Sequence, residues 1–217
     1  MTATRRVFLG NLSAASCVTL LGVALSMASI AFMADGRFEA MALCAIWAGI
    51  CDLLDGPISR KFPTRNRFRA RMGALLDSAA DVASFGIAPV CVAWLWGNRT
   101  PLDALICIAY VCCVAQRLSH FGAEEEKAAE EKMEGKHRTH YCGLPVTFAS
   151  LFLSLAYLLL PLAGAAALSW SLRAVLAALA LLYVLNVPVP KPRGAFYPIF
   201  IVTALGLTAF WTTRLAA

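Results

Sequence analysis

Four aspartates stand apart from the other acids of this chain. Asp52 and Asp55 are spaced i,i+3, and Asp77 and Asp81 are spaced i,i+4. On a helix either spacing puts both side chains on one face. The chain has 13 Asp+Glu. Six crowd into a polar stretch between Ala123 and His140, and Asp35, Glu39 and Asp103 sit at the edges of apolar blocks. The remaining four lie at the ends of two such blocks, where an ionised carboxylate is costly and marks function by default. If the two helices run antiparallel across a short connection, the two acidic faces meet. Four carboxylates in one place repel unless cations stand between them. Two divalent ions supply that charge, and all-oxygen donors suit Mg²⁺ or Mn²⁺ rather than zinc. Paired ions of this kind bridge a phosphate and stabilise the attacking and the leaving oxygen together. The acids therefore point to transfer chemistry at phosphorus, with Asp52, Asp55, Asp77 and Asp81 as metal ligands.

Small residues surround them. Gly56 follows Asp55, Gly73 precedes Asp77 by one turn, and Ser78, Ala79, Ala80, Ser84 and Gly86 continue the pattern. Tight helix packing in a membrane uses such residues; so does a bulky nucleotide that needs bare backbone. Arg60 opens the basic run "RKFPTRNRFRARM" and is a candidate for a substrate phosphate. The same run also suits a loop lying on anionic lipid.

The elements that carry these residues are long and apolar. Hydrophobic residues make up 60% of the 217-residue chain and charged residues 15%, against about a quarter charged in soluble domains. Seven blocks stand out, at 14–34, 38–59, 74–96, 101–121, 143–163, 168–188 and 195–213. Each approaches the ~20 residues that carry a helix across about 30 Å of hydrocarbon. The expected fold is all-α: one polytopic transmembrane bundle of six to eight spans, best counted as seven, forming a single domain over 1–217. The first block follows a basic flank and reads as a retained membrane helix, not a removed export signal.

With a cytoplasmic N-terminus, seven spans place Arg5, Arg6, the Arg60–Arg71 run, the Arg117–Arg138 stretch, Lys191 and Arg193 inside, and only Arg37, Arg99, Arg173 and Arg214 outside. That is 15 of the 19 Lys+Arg, the asymmetry of an integral membrane protein with this orientation. The net charge of +6 is an orientation signal, and no nucleic-acid partner is expected. The stretch "EEEKAAEEKMEGKHRTH" reads as a solvated surface helix with a Glu124–Lys127 pair, ended by Gly135. None of the eight cysteines forms a C-x-x-C pair, so neither a zinc site nor a disulfide framework is expected.

The stretch "DLLDGPISRKFPTRNRFRARMGALLDSAADVASFG" resembles the signature of the CDP-alcohol phosphatidyltransferase family, D-x-x-D-G-x-x-A-R followed by G-x-x-x-D-x-x-x-D. Here it is Asp52, Asp55, Gly56, Arg60, Gly73, Asp77 and Asp81, with Ser59 in place of the usual Ala and a longer spacing from Arg60 to Gly73. "DSAADVASFGIAP", "QRLSHF" (with His120 where a second Arg is usual) and "YCGLPVTFAS" look like the branch of that family that uses serine.

The resemblance implies that family's fold and a homodimer. It implies CDP-diacylglycerol and L-serine as substrates, with an active site facing the cytoplasm of a prokaryotic inner membrane. It assigns Asp52, Gly56, Ser59, Arg60, Gly73 and Asp77 to the nucleotide and lipid substrate, and Arg117, Ser84 and His120 to the acceptor. Asp81 becomes the general base. Rival readings are the same chemistry with glycerol 3-phosphate, inositol phosphate or choline, and, in another class, a small ion-coupled transporter.

Overall fold

The computed structural model describes residues 12–62, 66–133, 140–142, 144–185, 188–190 and 196–216. The N-terminal basic flank, Gly135, Lys191 and Arg193 fall outside them.

Helix α1 (Ala14–Ala34) starts at Ser13, whose Oγ accepts from the Ser16 amide at 3.0 Å, a side-chain N-cap. Helix α2 (Phe38–Lys61) carries Asp52 and Asp55 towards its C-terminal end. Helix α3 (Arg67–Asp81) is capped by Asn66, which accepts from the Phe68 and Arg69 amides. A single π-helical segment, Val82–Ile87, joins α3 to α4 (Ala88–Trp96), and Phe68–Trp96 forms one apolar run. Helix α5 (Pro101–Met133) follows, then α6 (Phe148–Tyr157), α7 (Leu159–Val184) and α8 (Phe196–Ala216).

One expectation about loops changes. The basic run from Arg60 to Met72 is mostly helical: α2 continues to Lys61 and α3 begins at Arg67. The long spacing between Arg60 and Gly73 is thus absorbed largely as helix. The acidic stretch is helical, as expected, through Met133. It continues α5, whose 33 residues reach about 50 Å, well past the hydrocarbon.

Among the described residues, six helices are long and apolar enough to cross a membrane. A seventh passage is shorter and bent. It starts at Thr147, which contacts Asp52, and ends at Tyr157, whose ring packs against Phe38 at the opposite end of α2. The chain bends at Leu158 and again at Gly164, whose φ of 85° is non-helical. Glycine alone adopts that conformation freely. Beyond it, α7 returns: Ser169 meets Trp96 and Asn98, and Tyr183 meets Val146. The seven expected blocks correspond to these seven passages, and Gly164 falls in the gap expected between 143–163 and 168–188. Among the described residues, the helical bundle is joined by one short ribbon, in which His140–Cys142 pairs antiparallel with Pro188–Pro190.

The two ends of the bundle differ. At the end away from the acids, Phe38 packs against Trp96, Tyr157 and Trp211 with ring centroids 5.3, 5.8 and 5.5 Å away. Beside this cluster, Arg173 Nε and Nη2 donate to the two oxygens of Asp103 at 2.6 and 3.1 Å, a bidentate pair. In the middle, Tyr110, Met41, Leu168, Leu172 and Leu176 are fully buried. Cys17, Cys44, Cys51, Cys91, Cys107, Cys112 and Cys113 are free thiols. The end that carries the aspartates is the one that stays open.

Candidate functional site

The four aspartates converge as the spacing requires. One oxygen each from Asp52, Asp55 and Asp77 lies within 4.8 Å of the others. Asp81 stands beside this trio, within hydrogen-bonding reach of Asp52, and Asp77 is within the same reach of Asp55. All four are half-buried. Carboxylates this close demand a proton or a cation between them. The donor set is oxygen only and converges from two helices, so it fits one or two hard divalent ions.

Two threonines complete the cluster. Thr19 of α1 donates to Asp55 Oδ2 at 2.8 Å, and Thr147, just before α6, donates to Asp52 Oδ2 at 2.8 Å. Each bond leaves the other oxygen of its carboxylate for another partner. Neither threonine carries a sequence signal: each is one hydroxyl in or beside an apolar block. Only the tertiary fold reveals them.

Two clefts open on the acids. One, of about 250 Å³, lies between α1, α2 and α3 and is lined by Thr19, Asp55, Gly56, Ser59, Gly73 and Asp77, with Arg69 at its edge. The other, of about 200 Å³, lies between α2, α6 and α8; Asp52, Gly56 and Thr147 meet Pro57, Phe148 and Phe200 there. Gly56 belongs to both. Pro57 has no N–H, so the Leu53 carbonyl inside α2 loses its helical donor next to the acids.

The other expected site residues divide. Ser59 and Gly73 line the first cleft, and a Cβ at Gly73 would meet nothing within 4 Å. Arg60 is exposed, with Nη1 lying 3.5 Å from where a Gly56 Cβ would be. Arg117 is 7% exposed and its Nε donates to the Leu144 carbonyl at 3.2 Å. Ser84 and His120 are not brought to the acids. Ser84 lies on the π-helical segment and lines a small internal cavity with Ser26, Ser29, Ser150, Ser154 and Tyr157. His120 is an exposed α5 residue with Nδ1 4.0 Å from Glu124 Oε2. That i,i+4 contact lies along the polar extension of α5.

A family model described as CDP-alcohol phosphatidyltransferase matches residues 12–185. The chain belongs to this family. The matched stretch includes every phosphatidyltransferase signature residue named above and stops before α8. Curated relatives that the chain resembles share one name, CDP-diacylglycerol–serine O-phosphatidyltransferase. The yeast protein is 38% identical over 114 residues, 52% of this chain and 40% of its own length. The protein of Methanocaldococcus jannaschii is 37% identical over 105 residues, 48% of this chain and 43% of its own. That of Bacillus subtilis is 32% identical over 104 residues, 47% of this chain and 51% of its own. The alignments thus span about two-fifths to one-half of those relatives.

Proposed function

We propose that this protein moves a phosphatidyl group from CDP-diacylglycerol to the hydroxyl of L-serine, giving phosphatidylserine and CMP. The observation that carries the reading is the convergence of Asp52, Asp55, Asp77 and Asp81 at one open end of a membrane bundle. The shared name of the relatives supports serine as the acceptor.

In this reading Asp52, Asp55 and Asp77 hold Mg²⁺ or Mn²⁺, two ions in all, with Asp81 completing the set. Such ions would neutralise charge on the diphosphate and so lower the barrier at phosphorus. Gly56 and Gly73 leave room for the nucleotide in the first cleft, with Ser59 on its wall and Arg60 at its cytoplasmic edge. Asp81, standing beside Asp52, takes the proton from the serine hydroxyl. The serine oxygen forms a bond to the β-phosphorus, and the bond from that phosphorus to the CMP oxygen breaks. Arg117 supplies the cation for the serine carboxylate, because guanidinium matches a carboxylate well.

The catalytic unit occupies 1–217 as one domain and works as a homodimer in the inner membrane of a prokaryotic cell, with its acids at the cytoplasmic surface. The excess of basic residues in the loops at the acid end supports that orientation.

The test is direct. Purified protein receives CDP-diacylglycerol with serine, glycerol 3-phosphate, inositol phosphate or choline in turn, and the lipid product is identified by mass. Phosphatidylserine with serine-dependent CMP release is expected. Release with another alcohol alone overturns the acceptor, and no release with any overturns the activity.

A further inference from the structure

The segment from Leu144 to Thr147 is held with unusual care. Three of its four carbonyls accept a side-chain hydrogen bond, each from a different helix. Arg117 of α5 donates to Leu144, Tyr183 of α7 donates to Val146 at 3.1 Å, and Ser150 of α6 donates to Thr147 at 2.8 Å. Tyr183 is itself braced. It is 3% exposed, and its ring centroid lies 6.1 Å from that of Tyr110. Tyr110 in turn donates to the Phe85 carbonyl at 2.6 Å, in the π-helical segment just after Asp81.

The segment leads into α6 at Thr147, whose hydroxyl the helix does not use. Thr147 has helical φ and ψ of −55° and −26° and makes no side-chain cap; the first amides of α6, from Phe148, Ala149 and Ser150, donate to the carbonyls of Pro145, Val146 and Thr147. Its Oγ1 donates to Asp52 Oδ2 instead, which holds that carboxylate in one rotamer.

We infer that residues 144–147 form a rigid arm that holds Thr147 on Asp52. Thr147 is then a positioning residue for Asp52, and Tyr183 acts on Asp52 through it. The inference rests on the divalent-ion reading of the acid cluster. A carboxylate turned to one rotamer presents its second oxygen in one direction. Outer partners of metal ligands work in this way, and their loss weakens the metal by about 10- to 100-fold.

Mn²⁺ binding to the purified full chain, read from the spin signal of free Mn²⁺, tests it without reference to turnover. Thr147→Val keeps the shape and removes the hydroxyl; it is expected to weaken Mn²⁺ roughly 10-fold with little change in unfolding temperature. Thr147→Ser is expected to restore the affinity. Tyr183→Phe keeps the buried ring and loses the bond to Val146, so it weakens Mn²⁺ as well. Combined with Thr147→Val it adds less than it does alone, because both act along one path. Unchanged Mn²⁺ affinity in Thr147→Val overturns the inference, and full additivity of the pair overturns the part given to Tyr183. Should Thr147→Val fail to fold, Tyr183→Phe alone decides, and an unchanged affinity there overturns the arm. An unaltered chain that binds no Mn²⁺ removes the ion reading, and this inference with it.

Discussion

Asp81 stands within hydrogen-bonding reach of Asp52, although one ends α3 and the other lies near the end of α2. The pair marks where the two acidic faces meet. Asp52, Asp55 and Asp77 form the tight trio, and Asp81 stands beside it.

Removing charge from the trio should be severe. Asp55→Asn or Asp77→Asn is expected to lower turnover at least ~100-fold, the usual scale for losing an electrostatic catalytic contact. A chelator should abolish activity in the unaltered protein. Near-normal turnover in either variant, or in chelator, contradicts the ion reading.

Arg117 separates two roles by its kinetics. As the cation for serine's carboxylate, its loss in Arg117→Ala should raise the serine KM roughly 10- to 100-fold while the KM for CDP-diacylglycerol hardly moves. If turnover falls equally with every condition and the serine KM stays put, Arg117 serves only to hold Leu144.

Two glycines should behave oppositely. A Cβ at Gly49 would run into Ser150, meeting its Oγ and lying 2.8 Å from its Cβ. Gly49→Ala should therefore push α6 off α2 and destabilise the fold by about 1–3 kcal/mol, measured by thermal unfolding in detergent. Gly73 faces open space in the first cleft. Gly73→Ala should fold normally and raise the KM for CDP-diacylglycerol.

The bidentate Arg173–Asp103 pair lies at the far end from the acids. Asp103→Asn leaves Arg173 without its charged partner, so the unfolding temperature should fall by at least about 2 °C. Mn²⁺ affinity should not change, and a change would mean that the two ends are coupled.

Orientation is testable by labelling. In a cysteine-free background, Asn66→Cys and Glu130→Cys should react only from the cytoplasmic side, and Ala216→Cys only from the outside. Labelling of residue 66 or 130 from outside intact cells reverses the topology.

The acid cluster was legible because helical spacing is a strong signal and charge inside an apolar block is a rare one. Asp52, Asp55, Asp77 and Asp81 needed only the assumption of two antiparallel helices. The helix ends were harder. Lys61 is charged and every second residue from Arg67 to Arg71 is Arg, and a search for hydrophobic blocks does not register such charged turns at the ends of helices. The break at Gly164 was legible, because the expected blocks stop at 163 and resume at 168, but only the structure shows that a positive φ makes it. Thr19 and Thr147 were out of reach for another reason: their partners are 36 and 95 residues away, and no local pattern encodes a hydroxyl that reaches across a bundle. Ser84 was placed by motif position alone. The wide turn of Val82–Ile87 carries it inward to a cavity among serines.

That wide turn sets a limit on insertions and deletions. A π-helical segment holds one more residue than the α-helix it interrupts, and it sits between Asp81 and Ala88. Deleting one residue there would let an unbroken α-helix form with the faces beyond it little turned, whereas deleting one from α3, where no wide turn absorbs the change, would rotate everything beyond it by about 100°. Phe85 would then leave Tyr110, and the contacts of α4 would turn away from their partners. The stretch after the last aspartate is therefore where this helical run has slack in its length, and the α-helix on either side of it has none.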